Sequence, residues 1–210
     1  EILFSVGDYR QRHNAQNSKN IFGKIIKINI TLENSYEIFS MGHRNPQGLL
    51  FDKENSLILS TEHGPQGGDE INIINFNNEK IPNYGWAIAS YGEHYGGKNK
   101  GANIIKYERY PLLKSHKDNN FIEPLKYFVP SIAIAEIVAV SNKSYITSSM
   151  KSIKGVHGGA IYFFDLDSEN QIKNFVNVDI KERVRDIVYK DNKLLLYLED
   201  TASIGIINLN

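Results

Sequence analysis

The feature that most constrains the fold is a succession of short apolar runs separated by turn residues. Each run is rich in β-branched and aromatic residues, and Gly, Asn, Asp or Pro stands between most of them. No stretch keeps the 3.6-residue periodicity of an amphipathic helix beyond a turn or two. Short strands at this spacing predict an all-β protein, either a sandwich, a barrel or a propeller. The predicted strands are ILFSV, GKIIKINI, GLLFD, LILST, EINIINF, SIAIAEIVAV, KSYITSS, AIYFFDLD, NFVNVDI, VRDIVY, KLLLYLE and SIGIINLN.

The C-terminal part of the chain favours the propeller. Residues 183–210 read as three strands joined by tight turns, which is the antiparallel meander of one propeller blade. Roughly twelve strands, at about four per blade, correspond to about three blades, or four if the loops contain further strands. Residues 91–128 are polar and poorly periodic, and we expect a loop of that length to be functional or mobile.

Composition excludes several classes of partner. The 210 residues include 24 basic and 24 acidic side chains, so there is no electrostatic reason to expect nucleic acid or an anionic membrane. No apolar run reaches the ~18–20 residues that span a bilayer. The absence of cysteine excludes a disulfide framework and a thiolate metal site. The chain opens on EILFSVGD, already inside a strand-like run, so we expect the true start of the protein to lie upstream.

An acidic, glycine-rich loop, EHGPQGGDE, covers residues 62–70. Its glycines and proline turn backbone carbonyls outward and its carboxylates lie nearby, a combination that suits Ca²⁺ with its six to eight oxygen ligands. The loop is not a phosphate loop, because no Gly-Lys-Ser/Thr follows. The alternative is a surface hairpin turn whose charges are merely solvated.

A polar corner, GHRNPQG, covers residues 42–48. Pro46 fixes φ and pushes Asn45 towards an extended conformation, so Arg44, Asn45 and Gln47 form a rigid polar group at the start of a strand. A guanidinium with two amides suits a planar ligand that carries carboxylates and carbonyls. In the alternative, Arg44 and Asn45 only cap neighbouring backbone carbonyls.

Three further cations lie later in the chain. Lys151 follows a strand, and Arg183 and Arg185 stand two apart on another strand, where their side chains share one face. On a solvated face they would be ordinary surface charges, whereas in a pocket they would be anion ligands. The histidines show no metal-ligand spacing such as H-x-x-x-H, and we expect His43 to be a hydrogen-bonded structural residue rather than a base.

Ten segments, in this order, match one known family. They are VGD (6–8), NAQN (14–17), GKIIKIN (23–29), GHRNPQGLLFD (42–52), TEHGPQGGDEIN (61–72), NYGW (83–86), SYGEHY (90–95), VPSIA (129–133), SSMK (148–151) and RVRDIVY (183–189). Together they resemble the soluble glucose/sorbosone (aldose sugar) dehydrogenases, which use pyrroloquinoline quinone (PQQ). The similarity runs across nearly the whole chain.

The resemblance implies a six-bladed β-propeller with the quinone at the mouth of its central channel. Residues 1–210 would then be a partial propeller, one glucose/sorbosone dehydrogenase-like domain of about three to four blades. A quinone with three carboxylates needs several cations. The family pattern assigns quinone contacts to Arg44, Asn45, Gln47, Lys151, Arg183 and Arg185.

The same resemblance implies two Ca²⁺ sites and a positioning acid. The backbone carbonyls of Gly64 and Pro65 would bind the Ca²⁺ that clamps and polarises the quinone, so that it can accept hydride from a sugar C1–H. Glu70 and the Tyr84 carbonyl resemble a second, structural Ca²⁺ site. Asp8 matches the acid that orients the catalytic histidine, which takes the hydroxyl proton. We expect that histidine upstream of Glu1.

Two departures from the family pattern bear on completeness and on the substrate wall. A propeller without its first blades exposes sheet edges, so we expect the missing N-terminal segment or a second chain to complete it. The family sequence PSIAPSG reads PSIAIAE at residues 130–136, and Val129 stands where an aromatic residue is usual. The wall that shelves the sugar is therefore expected to differ.

The leading hypothesis is PQQ- and Ca²⁺-dependent oxidation of aldose sugars at C1 to lactones, with an external electron acceptor and a periplasmic or secreted location. One alternative is a non-catalytic propeller module that keeps the fold and has lost the chemistry. Another is a Ca²⁺-stabilised lactone hydrolase, although such sites use side-chain carboxylates and Asn rather than the backbone oxygens that Gly64 and Pro65 offer.

Overall fold

The computed structural model describes residues 1–32, 35–74, 80–98, 101–152 and 158–209. Within these ranges the chain forms fourteen strands in four antiparallel sheets, with one nine-residue helix and two short 3-10 turns. In every sheet the strands lie side by side in the order in which they follow along the chain. Each sheet is therefore a simple meander.

The sheets have three, four, four and three strands in chain order. The first contains β1 (Ile2–Val6), β2 (Lys24–Ile28) and β3 (Tyr36–Met41). The second contains β4 (Pro46–Asp52), β5 (Leu57–Glu62), β6 (Asp69–Ile74) and β7 (Lys126–Phe128). The third contains β8 (Ile134–Ser141), β9 (Ser144–Ser149), β10 (Ala160–Leu166) and β11 (Ile172–Asp179). The fourth contains β12 (Val184–Lys190), β13 (Lys193–Leu198) and β14 (Ser203–Asn208).

The first strands of successive sheets pack against one another, β4 on β8 and β8 on β12. The second strand of a sheet also packs on the first strand of the next, β5 on β8 and β9 on β12. β1 packs on β4 as well. Meanders stacked around a shared line of inner strands are the blades of a β-propeller. The predicted all-β propeller of three to four blades is confirmed, with four sheets.

Two strands and the helix were missed from the sequence. β3 was overlooked, and β7 is only three residues long. The helix, α1 (Gly101–Arg109), lies in the stretch 91–128, so the prediction of a continuous loop there was wrong. Asn103 is the buried residue of α1. A nine-residue helix that buries only Asn103 does not show the repeated apolar positions by which a helix is recognised in a sequence.

Each interface between neighbouring sheets has its own apolar cluster. These clusters fix the sheets relative to one another and so fix the loops at their ends. Between the first and second sheets the cluster contains Ile25, Ile58, Ile74 and Tyr84. Between the second and third it contains Leu59, Ile71, Ile134, Tyr145 and Phe164, among others. Between the third and fourth it contains Ile146, Ile161, Val184, Ile187, Leu194 and Leu196.

A buried lysine organises the long β1–β2 connection. Lys24 is 0% exposed, and its Nζ donates to the carbonyl oxygens of Asn14 (2.8 Å), Ala15 (3.0 Å) and Phe22 (2.7 Å). Burial lowers the pKa of Lys24 to about 8. The three N–H donors of the ammonium match three carbonyls. Lys24 therefore ties the 3-10 turn Arg12–Gln16 to β2.

Replacing Lys24 with Met keeps the length of the side chain and removes all three donors. We expect Lys24→Met to lower the free energy of unfolding by about 2–4 kcal/mol, because buried carbonyls lose their partner. Urea denaturation at pH 7 measures the change. The matched control is Lys27→Met, which removes solvated ion pairs with Glu1 and Glu37 and should lower the stability much less. Equal effects of the two substitutions would contradict the role assigned to Lys24.

Candidate functional site

The β5–β6 loop is packed into the structure rather than solvated. Gly64, Pro65, Gly67 and Gly68 are buried, and the loop pairs with residues further along the chain through Gln66, which exchanges two 2.9 Å backbone hydrogen bonds with Glu93. A Cβ atom on Gly64 would lie 2.1 Å from the carbonyl oxygen of Gly68, so the loop requires glycine there. The alternative of a solvated surface turn was wrong.

Asp69 fixes this loop to the next blade. It is 0% exposed, and its Oδ1 accepts a hydrogen bond from the Gly64 N–H (3.0 Å). Its Oδ2 accepts hydrogen bonds from Ser131 Oγ (2.7 Å) and from the Ile134 N–H (3.2 Å) at the start of β8. Sequence reasoning named Asp69 only as part of an acidic loop, although a carboxylate directly after two glycines was a usable signal for a loop-fixing role.

A small cavity lies beside the loop. Its volume is about 10 Å³, enough for one water-sized body. Its walls include Gly64 and two carboxylates, Glu62 and Glu70, which lie directly opposite each other on β5 and β6 and are each 4% exposed. Arg44, Tyr84, Trp86 and His116 also line it.

The pKa values of the two buried carboxylates are shifted in opposite directions. Burial, and then the charge of Glu62, raise the pKa of Glu70 well above its usual range. Burial also acts to raise the pKa of Glu62, but the neighbouring His43 and a hydrogen bond from the Arg44 N–H (3.0 Å) outweigh it, and the pKa of Glu62 is lowered. Glu70 therefore holds a proton more tightly than Glu62 does.

Two buried histidines flank the carboxylate pair. His43 Nδ1 is 3.6 Å from Glu62 Oε2, and His116 Nε2 is 3.6 Å from Glu70 Oε1. His43 is 0% exposed, its Nε2 lies 2.7 Å from Ser40 Oγ, and its ring stacks on Tyr84. His43 is thus the buried, hydrogen-bonded residue that the sequence predicted.

The donor set around the small cavity is oxygen-rich. Over the part of the chain that the structure describes, no three His, Cys, Asp or Glu side chains gather as a metal-binding group. None of the described hydrogen bonds ends on the carbonyl oxygen of Gly64 or Pro65. A cation here would therefore use one or two carboxylates together with backbone oxygens, the ligand mixture that Ca²⁺ accepts.

A second, larger cavity of about 480 Å³ opens next to the first. Gly7, Asp8, Tyr9, Arg10, Arg44 and Asn45 line it. Arg44 lines both cavities, and its carbonyl oxygen accepts a 2.8 Å hydrogen bond from the Asp8 N–H. The β1–β2 connection and the β3–β4 corner therefore meet at Arg44.

Trp86 fixes the orientation of Asp8. Its indole Nε1 donates to Asp8 Oδ2 (2.7 Å), and its backbone N–H donates to the Gly42 carbonyl (3.0 Å). The guanidinium groups of Arg44 and Arg12 lie 5.4 and 5.9 Å from the indole ring centre. Burial lowers the pKa of Arg44, which stays protonated at any physiological pH. Sequence reasoning missed Arg12, because nothing in its local pattern shows that it stacks on Trp86.

The corner side chains also bond to their own neighbours, as the capping alternative describes. Arg44 Nη1 donates to the His63 carbonyl (2.8 Å), and Asn45 Nδ2 lies 3.2 Å from His63 Nδ1. Gln47 Nε2 donates to the carbonyls of Asn45 (3.3 Å) and Pro46 (3.0 Å). Arg44 and Asn45 still reach the larger cavity, whereas Gln47 lines neither cavity.

The three later cations form a separate group on the third and fourth sheets. Lys151 is exposed beyond the end of β9, and Arg183 Nη2 donates to the sulfur of the adjacent Met150 (3.3 Å). Arg183 and Arg185 both bind Glu199, with their closest nitrogen–oxygen distances at 3.1 and 2.9 Å. Arg183 precedes β12 instead of lying on it, so that detail of the prediction was wrong. None of these cations is among the residues that line the two cavities described above.

Three curated proteins resemble this chain in sequence. An uncharacterized protein of Synechocystis is 30% identical over 189 residues, which cover 84% of this chain and 42% of that protein. Aldose sugar dehydrogenase YliI of Escherichia coli is 35% identical over 108 residues, 46% of this chain and 28% of that protein. Quinoprotein glucose dehydrogenase B of Acinetobacter calcoaceticus is 36% identical over 98 residues, 41% and 20% of the two chains.

Solved structures share the fold. A crystal structure of glucose dehydrogenase matches with a TM-score of 0.75 at 22% identity, covering 99% of this chain and 60% of that one. The soluble aldose sugar dehydrogenase of Escherichia coli, in its apo-form, matches with a TM-score of 0.74 at 21% identity, covering 98% and 60%. The chain therefore spans less than half the length of its curated relatives and about three-fifths of the solved structures.

The strand order and these similarities agree with a match along the sequence. The family described as Glucose / Sorbosone dehydrogenase matches residues 1–208. The chain belongs to the glucose/sorbosone dehydrogenase family.

Proposed function

We propose that this chain is part of a sugar dehydrogenase that holds pyrroloquinoline quinone and Ca²⁺ and oxidises aldose sugars at C1 to lactones. The observation that carries the proposal is the position of Arg44. Arg44 lines both an ion-sized cavity with two buried carboxylates and a larger cavity beside Asp8. One residue can thus contact a metal-held cofactor and the group that reacts with it.

Ca²⁺ is the ion that the smaller cavity favours. The proposed ligands of the Ca²⁺ that clamps the quinone are the backbone oxygens of Gly64 and Pro65, and those of a second, structural Ca²⁺ are Glu70 and the Tyr84 carbonyl. Gly64, Glu70 and Tyr84 line this same cavity. A divalent cation would favour the charged form of the carboxylates beside it.

The quinone, when bound, would supply the two-electron acceptor for the C1 hydride of the sugar. Arg44 and Asn45 would contact it from the β3–β4 corner, with Gln47 behind them, and Lys151, Arg183 and Arg185 would face its carboxylates from the third and fourth sheets. Asp8, held by Trp86, would orient the proton-accepting histidine. We place that histidine, like the remaining blades, in a segment upstream of Glu1 or in a second chain, with residues 1–210 forming one partial-propeller domain.

A location in the periplasm or outside the cell accompanies this proposal, because Ca²⁺ is plentiful there. In the described ranges no helix is long and apolar enough to cross a membrane. An external molecule would take the electrons from the reduced quinone.

One observation favours the alternative of a binding module without dehydrogenase activity. Arg183 and Arg185 are already paired with Glu199, and Gln47 donates to the carbonyls of the preceding Asn45 and Pro46. If the protein is a dehydrogenase, one carboxylate on Glu199 neutralises only part of the charge of Arg183 and Arg185, and the remainder is available to the quinone. If it is a binding module, the ion pairs with Glu199 persist and no quinone binds.

Quinone binding separates the two functions. We expect PQQ to raise the melting temperature of the 210-residue chain in the presence of Ca²⁺ and to have little effect in EGTA. Arg44→Gln should weaken quinone binding at least tenfold, about 1.4 kcal/mol, because a charge-assisted contact is lost. Arg109→Gln at the end of α1, where the guanidinium lies over Tyr110, is the matched control. The absence of any Ca²⁺-dependent shift, or equal effects of both variants, would favour the binding module.

Calcium binding has its own test in Glu70. Because the folded-state pKa of Glu70 is raised, its stability contribution is complete below the unfolded pKa, about 4.3, and is lost as pH rises through the folded pKa. Glu70→Gln should therefore stabilise the metal-free chain at pH 8 by about 1–3 kcal/mol, with little change at pH 4. The same variant should lose most of the Ca²⁺-induced rise in melting temperature.

The control for this test is Glu54→Gln, which removes an exposed carboxylate. It should leave both the pH dependence and the Ca²⁺ response of the melting temperature unchanged. If Ca²⁺ stabilises Glu70→Gln as strongly as the unmodified chain, Glu70 is not a calcium ligand.

A further inference from the structure

The turn after β1 contributes Tyr9 and Arg10 to the lining of the larger cavity. Asp8 Oδ1 accepts a 2.8 Å hydrogen bond from the Arg10 N–H, and the Asp8 carbonyl accepts one of 2.8 Å from the Gln11 N–H. Tyr9 and Arg10 both have left-handed backbone conformations, with φ of 49° and 64°. Such conformations are strained in non-glycine residues and gather at ligand sites.

Positive charge is in excess around this turn. Within the described residues, the side chains of Arg10 and Arg12 make no hydrogen bond or ion pair, and the Nε of Arg12 is buried without a partner. Arg12 and Arg44 lie over the same indole ring. Arg10 and Arg44 line the larger cavity, and Arg12 lies beside it over Trp86. The carboxylate among the lining residues is Asp8, whose oxygens already accept bonds from Trp86 and the Arg10 N–H. Glu62 lies behind Arg44, in the smaller cavity.

The same cavity offers a surface for a sugar ring. Tyr9 is 70% exposed, and its ring is held edge-on against Phe22 with the ring centres 5.5 Å apart. An aromatic face packs against the C–H groups of a sugar, while Asp8 and Asn45 offer hydrogen bonds to its hydroxyls. The volume of about 480 Å³ is that of a small-molecule pocket.

We propose that Arg10 and Arg12, together with Arg44, form an anion subsite that holds the carboxylate of an acidic sugar, a uronate, in this cavity. The inference rests on the proposed function for its sugar chemistry and narrows the substrate class. Arg10 and Arg12 belong to the β1–β2 connection and are not among the residues assigned to the quinone. Of the cations that are, Arg44 lies at the β3–β4 corner, and the others belong to the third and fourth sheets. A uronate that packs on Tyr9 would place its carboxylate against these guanidiniums, of which Arg10 and Arg12 make no hydrogen bond or ion pair among the described residues.

The test measures sugar binding to the 210-residue chain by calorimetry without quinone and without Ca²⁺. We expect glucuronate to bind at least tenfold more tightly than glucose, with a preference that falls as salt is raised. Arg10→Gln and Arg12→Gln should each reduce that ratio at least fivefold, and Arg12→Lys should restore part of it. Arg109→Gln should leave the ratio unchanged, and the melting temperature of every variant confirms that it is folded.

Parallel titrations with PQQ and Ca²⁺ distinguish the possible sources of the carboxylate. If the arginine variants weaken PQQ binding while glucuronate shows no preference, the subsite serves the cofactor and the uronate assignment is overturned. If neither ligand depends on Arg10 and Arg12, the subsite itself is overturned. If glucuronate is preferred through these arginines and the chain binds no quinone, this inference stands and the proposed dehydrogenase function fails.

Discussion

The contacts of Trp86 are the constraint on which the site depends. Its indole N–H holds Asp8, its backbone N–H holds the Gly42 carbonyl, and its ring lies under the guanidinium of Arg44. These contacts join Trp86 to two segments that are far from it in sequence, the turn after β1 and the β3–β4 corner. Because the ring is 3% exposed, the Asp8 hydrogen bond forms away from water, where it is strong and directional.

Packing between the blades positions the loops that surround Trp86. Each sheet packs its inner strand on the next, so loops at one end of neighbouring sheets are brought side by side. Asp69 uses this arrangement, because its two oxygens connect the Gly64 loop of the second sheet to Ile134 at the start of the third. A polar loop can be buried there because Asp69 and the carbonyls of Glu93 and Phe128 accept hydrogen bonds from its N–H groups. The small cavity between Glu62 and Glu70 is a consequence of that burial.

Much of the fold and part of the site could be predicted from the sequence. Alternating β-branched residues identify most strands because side-chain burial has the period of a strand. The Arg44 corner and the Gly64 loop stand out because Pro and Gly restrict the backbone around polar residues. The helix α1 left no signal, since Asn103 is its buried residue. The positions of Arg12 and Lys24 could not be predicted either. Arg12 is placed by Trp86, which is distant in sequence, and Lys24 is buried against backbone carbonyls, which leave no pattern in the sequence.

The later cations show a further limit of sequence reasoning. Spacing predicts that Arg183 and Arg185 point the same way, and both do bind Glu199. Whether the two side chains meet a ligand or an internal acid depends on Glu199, which follows β13 and lies at least fourteen positions further along the chain. Spacing alone cannot decide between the two.

The central claim is that Asp8, Arg44 and the Gly64 loop form one site around Trp86. Trp86 is the single tryptophan of the chain, so its fluorescence reports on this site alone. The account predicts a buried, blue-shifted emission that acrylamide quenches weakly, and a saturable loss of emission as quinone is added with Ca²⁺ present. Quinone that stabilises the chain without changing the emission of Trp86 would contradict it.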